Sequence, residues 1–212
     1  MISKKLQEKI NRELSEEEIK KIYTSYKKYN LIRYFFTYII NHKFRQAVSL
    51  HDWIKEFTGN EIIEAIAAEC TGTTHDDTVK NVIRYWYTHL RYVSDQTNYG
   101  TAEYWADPEE ILEKGSDDCD GFATMIYLTC IAAGVPDYRM YFTIGYVNSN
   151  NRKIGHAYVK YIADDLIMYP LDGTFYPKDS MKFSTPYFND KRYYYGEQEW
   201  ACFNMEGTYK IK

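Results

Sequence analysis

Three short segments hold the side chains whose chemistry could be combined. Cys119 lies in Gly115-Ser116-Asp117-Asp118-Cys119-Asp120-Gly121-Phe122-Ala123, His156 in Gly155-His156-Ala157-Tyr158-Val159, and Asp172 in Leu171-Asp172-Gly173-Thr174. A thiol becomes an effective nucleophile when a base takes its proton, and the base works best when a third group fixes its tautomer and angle. In that chain order the three residues are candidates for nucleophile, general base and orienting carboxylate. No other part of the chain offers as complete a set.

The elements that must position them can be read from spacing. Phe122, Ala123, Ile126, Cys130 and Ala133 recur at helical intervals from about Asp117 until Gly134-Val135-Pro136, a C-terminal glycine followed by a breaker. Cys119 therefore falls in the first turn, where unpaired N–H groups and the positive end of the helix dipole favour a thiolate and can bind an oxyanion. The same spacing puts Cys119 on the apolar stripe, where a cysteine is ordinarily a small core residue. The polar lead-in Ser116-Asp117-Asp118 sets it apart from Cys130, which shares the face without such a lead-in and reads as core.

Lys153 to Ile162 alternates as a half-buried strand, with Ile154, His156, Tyr158 and Lys160 on one side and Gly155, Ala157, Val159 and Tyr161 on the other. A histidine on a strand that packs against the helix can hold its angle toward the first turn. The plain alternative is a hydrogen-bonded core or surface histidine. The small neighbours Gly155 and Ala157 leave room for a substrate to approach the imidazole. Leu166 to Leu171 reads as the next strand of a hairpin that turns near Ala163-Asp164-Asp165, which sets Asp172 at the strand end near His156. A buried aspartate that accepts the imidazole N–H fixes its tautomer. Asp followed by Gly is equally a turn signal.

Taken with Tyr92-Val93-Ser94-Asp95 and Tyr104-Trp105-Ala106-Asp107-Pro108-Glu109-Glu110-Ile111-Leu112, these segments resemble the transglutaminase-like superfamily over about residues 76 to 178. Within it they are most similar to the bacterial transglutaminase-like cysteine proteinases. The resemblance implies an α+β, papain-like core in which the nucleophile helix packs on an antiparallel sheet that carries the base and the acid. It implies Cys119 as nucleophile, His156 as general base and acid, and Asp172 as the orienting carboxylate. The Cys119 N–H is one natural oxyanion donor, and a side chain such as Gln96 is a candidate second. Trp105 either packs beneath the helix or lines the substrate groove. Many relatives carry a glycine just before the Asp-Cys pair; this chain has Asp117, whose charge beside the sulfur would raise the thiol pKa.

Composition sets bounds. With 212 residues, 45% of them hydrophobic, the chain can bury a real core in one domain of ordinary size plus an appendage. A net charge of -4, with lysines spread among acids, provides no basic stripe for nucleic acid. The cysteines at 70, 119, 130 and 202 show neither a zinc-site nor a thioredoxin-like spacing. No cofactor is expected; Asp117, Asp118 and Asp120 are the residues that would meet a calcium ion if one bound. The amino terminus runs straight into charged residues with no signal-peptide core. The longest apolar run, Leu31 to Ile40, contains Arg33 and is too short to span a bilayer. The default compartment on this reading is the cytoplasm.

Residues 1–75 read as an N-terminal helical region and 76–212 as the transglutaminase-like catalytic domain. Ser15 with Glu18 forms a capping box ahead of Ile19, Ile22, Tyr23 and Tyr26, and helices continue through Phe57. Asn60 caps a short helix with Ile62, Ile63, Ile66 and Ala67 facing inward. Thr71-Gly72-Thr73-Thr74 marks the boundary, after which Thr74 with Asp77 opens a helix bearing Val79, Val82, Ile83, Trp86 and Leu90. Near the end, Glu199 to Met205 and Thr208 to Ile211 read as strands and Phe183 to Phe188 as a loop.

Three functions are in play. The first is a thiol-dependent hydrolase that cleaves peptide or isopeptide amides through an acyl-enzyme on Cys119. The second is transglutaminase or deamidase-type acyl transfer from glutamine through the same intermediate. The third is a non-catalytic protein-binding module on this fold, which predicts a damaged triad. A protein or peptide is the expected partner in each case, and the sequence leaves the oligomeric state open.

Overall fold

The segment after Asp118 is apolar nearly all the way round, and a helix without a polar face has to be enclosed. The computed structural model, which describes residues 15–26, 38–41, 46–149, 152–174 and 193–211, encloses it. The helices are α1 (Glu16–Tyr23), α2 (Leu50–Glu56), α3 (Glu61–Cys70), α4 (His75–His89), α5 (Asp95–Asn98), α6 (Pro108–Lys114) and α7 (Cys119–Ala132). The strands are β1 (Thr24–Tyr26), β2 (Tyr38–Asn41), β3 (Gln46–Ser49), β4 (Arg91–Tyr92), β5 (Ser116–Asp117), β6 (Met140–Ser149), β7 (Arg152–Ile162), β8 (Met168–Leu171), β9 (Tyr193–Asn204) and β10 (Gly207–Ile211).

Six strands form one antiparallel sheet in the order β1-β10-β9-β6-β7-β8. Helix α7 lies between this sheet and helices α3 and α4. Its Ala123, Ile126 and Leu128 share a core with Phe142, Val159 and Leu171 of the sheet and with Ile66, Val82 and Trp86 of the outer helices. Burying side chains of this size contributes roughly 1.5–3 kcal/mol each, which makes α7 the centre of the fold's stability. The polar atoms drawn in are matched: Trp86 Nε1 donates to Thr129 Oγ1 at 2.9 Å, and the Tyr127 hydroxyl donates to Asp137 Oδ1 at 2.7 Å.

The other face of the sheet is covered as well. Ile19 of α1 joins Tyr141, Ile162, Leu166 and Cys202 in a second, smaller cluster. As a result β7 is buried on both faces from His156 to Ile162, where alternation alone suggests a half-buried strand.

Local signals place the helix starts. Ser15 and Glu18 make both halves of their capping box, at 3.0 and 3.3 Å. Asn60 Oδ1 accepts the Ile62 and Ile63 N–H groups, and Thr74 Oγ1 accepts that of Asp77. On α3 the inward stripe is Ile63, Ile66, Ala67 and Cys70, and Ile62 is 50% exposed, because only the first set keeps the i, i+3, i+4, i+7 spacing. The N-terminal region also contributes strands: β1 pairs with β10 at the edge of the large sheet, and β2 pairs with β3. Strand β9 starts at Tyr193, earlier than the sequence suggests, while residues 183–188 lie outside the described set. All four cysteines are free thiols, and among the described residues no helix is long and apolar enough to cross a membrane.

Candidate active site

Cys119 is held by what precedes it. Helix α6 starts with a full capping box between Asp107 and Glu110 and ends at Gly115 in the left-handed conformation, with φ 60°. The chain then runs for two residues as β5, parallel to β4, with Tyr92 opposite Asp117. Asp118 caps α7 by accepting the Asp120 N–H at 3.4 Å, so Cys119 is the first helical residue. A Cβ at Gly121 would overlap the Asp117 carboxyl, so glycine there lets β5 lie close against the first turn. Cys119 is partly buried, and its sulfur accepts the backbone N–H of Ala157, the residue after His156 on β7.

The sheet brings the other two together. Strands β7 and β8 pair with Val159 opposite Leu171, and continuing that register by one residue sets Asp172 opposite Tyr158 and diagonal to His156. His156 Nε2 lies 2.6 Å from Asp172 Oδ2, and both residues are buried. The second carboxylate oxygen is also engaged, accepting the Thr174 N–H at 3.0 Å and the Thr174 hydroxyl at 2.7 Å. Asp172 is therefore both a turn residue and the imidazole's partner, and its orientation is fixed from two sides. A Cβ at Gly173 would overlap the Phe122 ring, so this turn abuts the first turn of α7. The structure thus brings Cys119, His156 and Asp172 into one neighbourhood where α7, β7 and the end of β8 meet.

No protein-family model matches the chain, and no curated protein matches it. Among solved structures it is similar to Legionella pneumophila LapG, at 19% identity and a TM-score of 0.52 over 76% of this chain and 84% of that one. The calcium-bound form of the same protein gives 19% identity and a TM-score of 0.51 over 75% and 84% of the two chains. The EGTA-treated form gives 18% identity and a TM-score of 0.52 over 76% and 82%. The fold is transglutaminase-like.

Within this transglutaminase-like fold, the helix side of the site is crowded with acids. Burial, followed by the Asp120 and Asp118 carboxylates, raises the Cys119 thiol well above its ordinary range, against the lowering effect of the Ala157 N–H. That net direction is opposite to what the helix dipole alone suggests. Asp117 also differs from the sequence expectation. It is fully buried, neither carboxylate oxygen has a well-formed hydrogen bond among the described residues, and burial pushes its pKa up to about 8. At neutral pH it is mostly protonated, so the charge beside the sulfur comes from other acids. Asp95 is buried too and is raised to about 7, by burial and then by Asp118. Burial, with its neighbour Asp118 and further acids, raises Asp120 as well.

The remaining candidates separate. Trp105 packs edge-on against Trp53 at 5.8 Å and tilted against Phe142 at 6.2 Å, while its Nε1 donates to Glu103 at 3.1 Å. It is anchored to the core, as one of its two readings has it. Gln96 is exposed on α5; its neighbour Asp95 is the inward residue, accepting the Tyr104 N–H at 2.5 Å. Thr174 and Gly121 are the positions whose part the sequence reading missed. An Asp-Gly-Thr run is a recognisable side-chain-to-backbone turn, which is the signal that could have singled out Thr174.

Proposed function

We propose that the protein is a cysteine-dependent hydrolase that cleaves peptide or isopeptide amides through an acyl-enzyme on Cys119. The observation that carries this reading is the pairing of His156 Nε2 with Asp172 at 2.6 Å on the strand whose next amide meets the Cys119 sulfur. A carboxylate only accepts, so Nε2 carries the proton and the lone pair available for chemistry is on Nδ1. Nδ1 takes the thiol proton as sulfur attacks the amide carbonyl carbon, giving a tetrahedral oxyanion, for which first-turn amides of α7, including that of Cys119, are the donors in this reading. The C–N bond then breaks, the amine leaves with the proton from the imidazolium, and a thioester remains. Water gives a proton to Nδ1 and attacks the thioester, and the released sulfur recovers its proton as the acid departs. Asp172 stabilises the imidazolium at each stage without itself taking the proton.

Acyl transfer to an amine uses the same steps with a lysine nitrogen in place of water. Its test is built into the experiment: the protein is incubated with a glutamine-rich protein and a labelled amine, and peptide products and label incorporation are read by mass spectrometry. Hydrolysis predicts new termini and no label, with the new termini lost in Cys119→Ser; label without new termini would replace hydrolysis by transfer.

One of the similar structures is described as calcium-bound, and the residues here fit a hard cation. Asp118 and Asp120 present carboxylates within 4.8 Å of each other, and the buried Asp95 Oδ1 and Asp117 oxygens lack hydrogen-bond partners among the described residues. Asp118 and Asp120 would hold such an ion. Bound there, calcium would neutralise the carboxylates that keep the thiol protonated. The reaction itself passes through Cys119 and His156.

A further inference from the structure

Among the described residues, three large apolar side chains stand well out in solvent: Ile62 at 50%, Tyr92 at 57% and Tyr146 at 39%. A lone exposed ring is ordinary on a protein surface, so position decides its meaning. Two of the three flank the candidate site. Tyr92 on β4 pairs with Asp117, two residues ahead of Cys119, and Tyr146 on β6 pairs with Gly155, the residue before His156. The Tyr92 phenol lies within electrostatic reach of the Cys119 sulfur and makes no hydrogen bond among the described residues.

The backbone of β4 is open as well. The Arg91 and Val93 N–H groups donate to the Gly115 and Asp117 carbonyls at 3.1 and 3.0 Å. Tyr92, between them, turns its own N–H and C=O to the opposite edge, which no described strand pairs. An extended chain laid along that edge gains main-chain hydrogen bonds and sets its side chains across from the Tyr92 ring. The direction of such a chain follows from the proton. The leaving nitrogen takes its proton from His156, so the amine half of the substrate lies over β7 and β6 and the acyl half lies away from them, toward β4 and β5.

On the reading of the protein as a thiol hydrolase, on which this inference rests, we propose that Tyr92 sets acyl-side specificity: the open edge of β4 takes the main chain of an extended peptide on the acyl side of the scissile amide, and the Tyr92 ring packs against an aromatic side chain there. A flat side chain covers the exposed ring in an offset or edge-on contact, which a methyl group cannot do.

The test uses acetyl dipeptide chloromethyl ketones of sequence Phe-Ala, Ala-Phe and Ala-Ala, which carry an acyl half and no amine half. The Cys119 sulfur displaces chloride, the C–S bond forming as the C–Cl bond breaks, and the thiol proton passes to the imidazole. Labelling of Cys119 is followed by mass spectrometry at a single pH. The quantity compared is the rate of the faster Phe probe over that of the Ala-Ala probe within each protein, so any change in thiol ionisation cancels. The ratio is expected to be about tenfold in the wild-type protein and in Tyr92→Phe, and about twofold or less in Tyr92→Ala. Tyr92 stands mostly in solvent, so its replacement removes no core packing. A ratio that survives in Tyr92→Ala would overturn the proposal, and so would a ratio lost in Tyr146→Ala instead, which would put the acyl half on β6. If the three probes label wild-type Cys119 equally, the role of Tyr92 fails and the hydrolase reading stands. If none labels Cys119 faster than the buried Cys130, the hydrolase reading fails and takes the role of Tyr92 with it.

Discussion

The strand side of the candidate site matches its buried carboxylate, whereas the helix side crowds several together. On the strand side, one Asp172 oxygen meets the imidazole and the other meets Thr174, on a sheet covered from both faces. On the helix side, Asp95, Asp117 and Asp120 are buried within range of Asp118, and each is pushed toward its protonated form. A buried charge is therefore kept more readily on the strand side of this fold than at the helix start. A pleated surface fixes two partners at known distances, so a buried charge there is met on arrival. A helix start offers N–H groups to one carboxylate at a time and leaves the next to shift its pKa.

This contrast can be broken by removing a carboxyl charge from each side. Asp172→Asn is expected to lower turnover by roughly 10⁴-fold, because an amide can donate to the imidazole and favour the wrong tautomer. Asp118→Asn is expected to act in the opposite sense. Asn still caps the helix, the charge that raises the thiol pKa is gone, and Cys119 alkylation near neutrality should rise by up to about tenfold. Two losses of similar size would show that the sides are not distinct.

Gly121→Ala sharpens the comparison through stability. Alanine in a helix is ordinarily favoured over glycine by about 1 kcal/mol, but a Cβ here would overlap Asp117. A net loss of about 1–3 kcal/mol in denaturant unfolding is expected. A gain would mean that β5 is not held against α7.

Lys160 gives an effect of similar size with a pH signature. Burial lowers its pKa from 10.5 to about 8. Below pH 8 the folded protein carries a desolvated charge, and that cost lifts as pH climbs from 8 toward 10.5, so the group makes stability rise across that window. Lys160→Met should therefore raise the melting temperature at pH 7 and have little effect near pH 10, a difference of about 1–3 kcal/mol. An equal change at both values would contradict this.

What was legible in the sequence was local. The caps at Ser15, Asn60 and Thr74, the helix with Cys119 in its first turn and the strand around His156 follow from neighbours a few residues apart, which set hydrogen bonds and periodicity directly. The pairing of β6 with β9 and of β1 with β10 joins segments far apart in the chain, and alternation within a strand says nothing about its partner. Burial is likewise a property of the whole fold. Asp117 looks charged in sequence and becomes neutral only because β4 and α7 close over it. Thr174 was visible as a residue but silent in role, since its two bonds matter only once Asp172 is known to face His156.

Whether His156 acts on the Cys119 sulfur is decided by the pH dependence of Cys119 alkylation in the wild-type protein and in His156→Ala. The wild-type rate is expected to hold up toward neutral pH and to fall at least about tenfold in the variant, whose thiol is left with burial and acids that raise its pKa. Superimposable profiles, with Cys119 no more reactive than the buried Cys130, would contradict it.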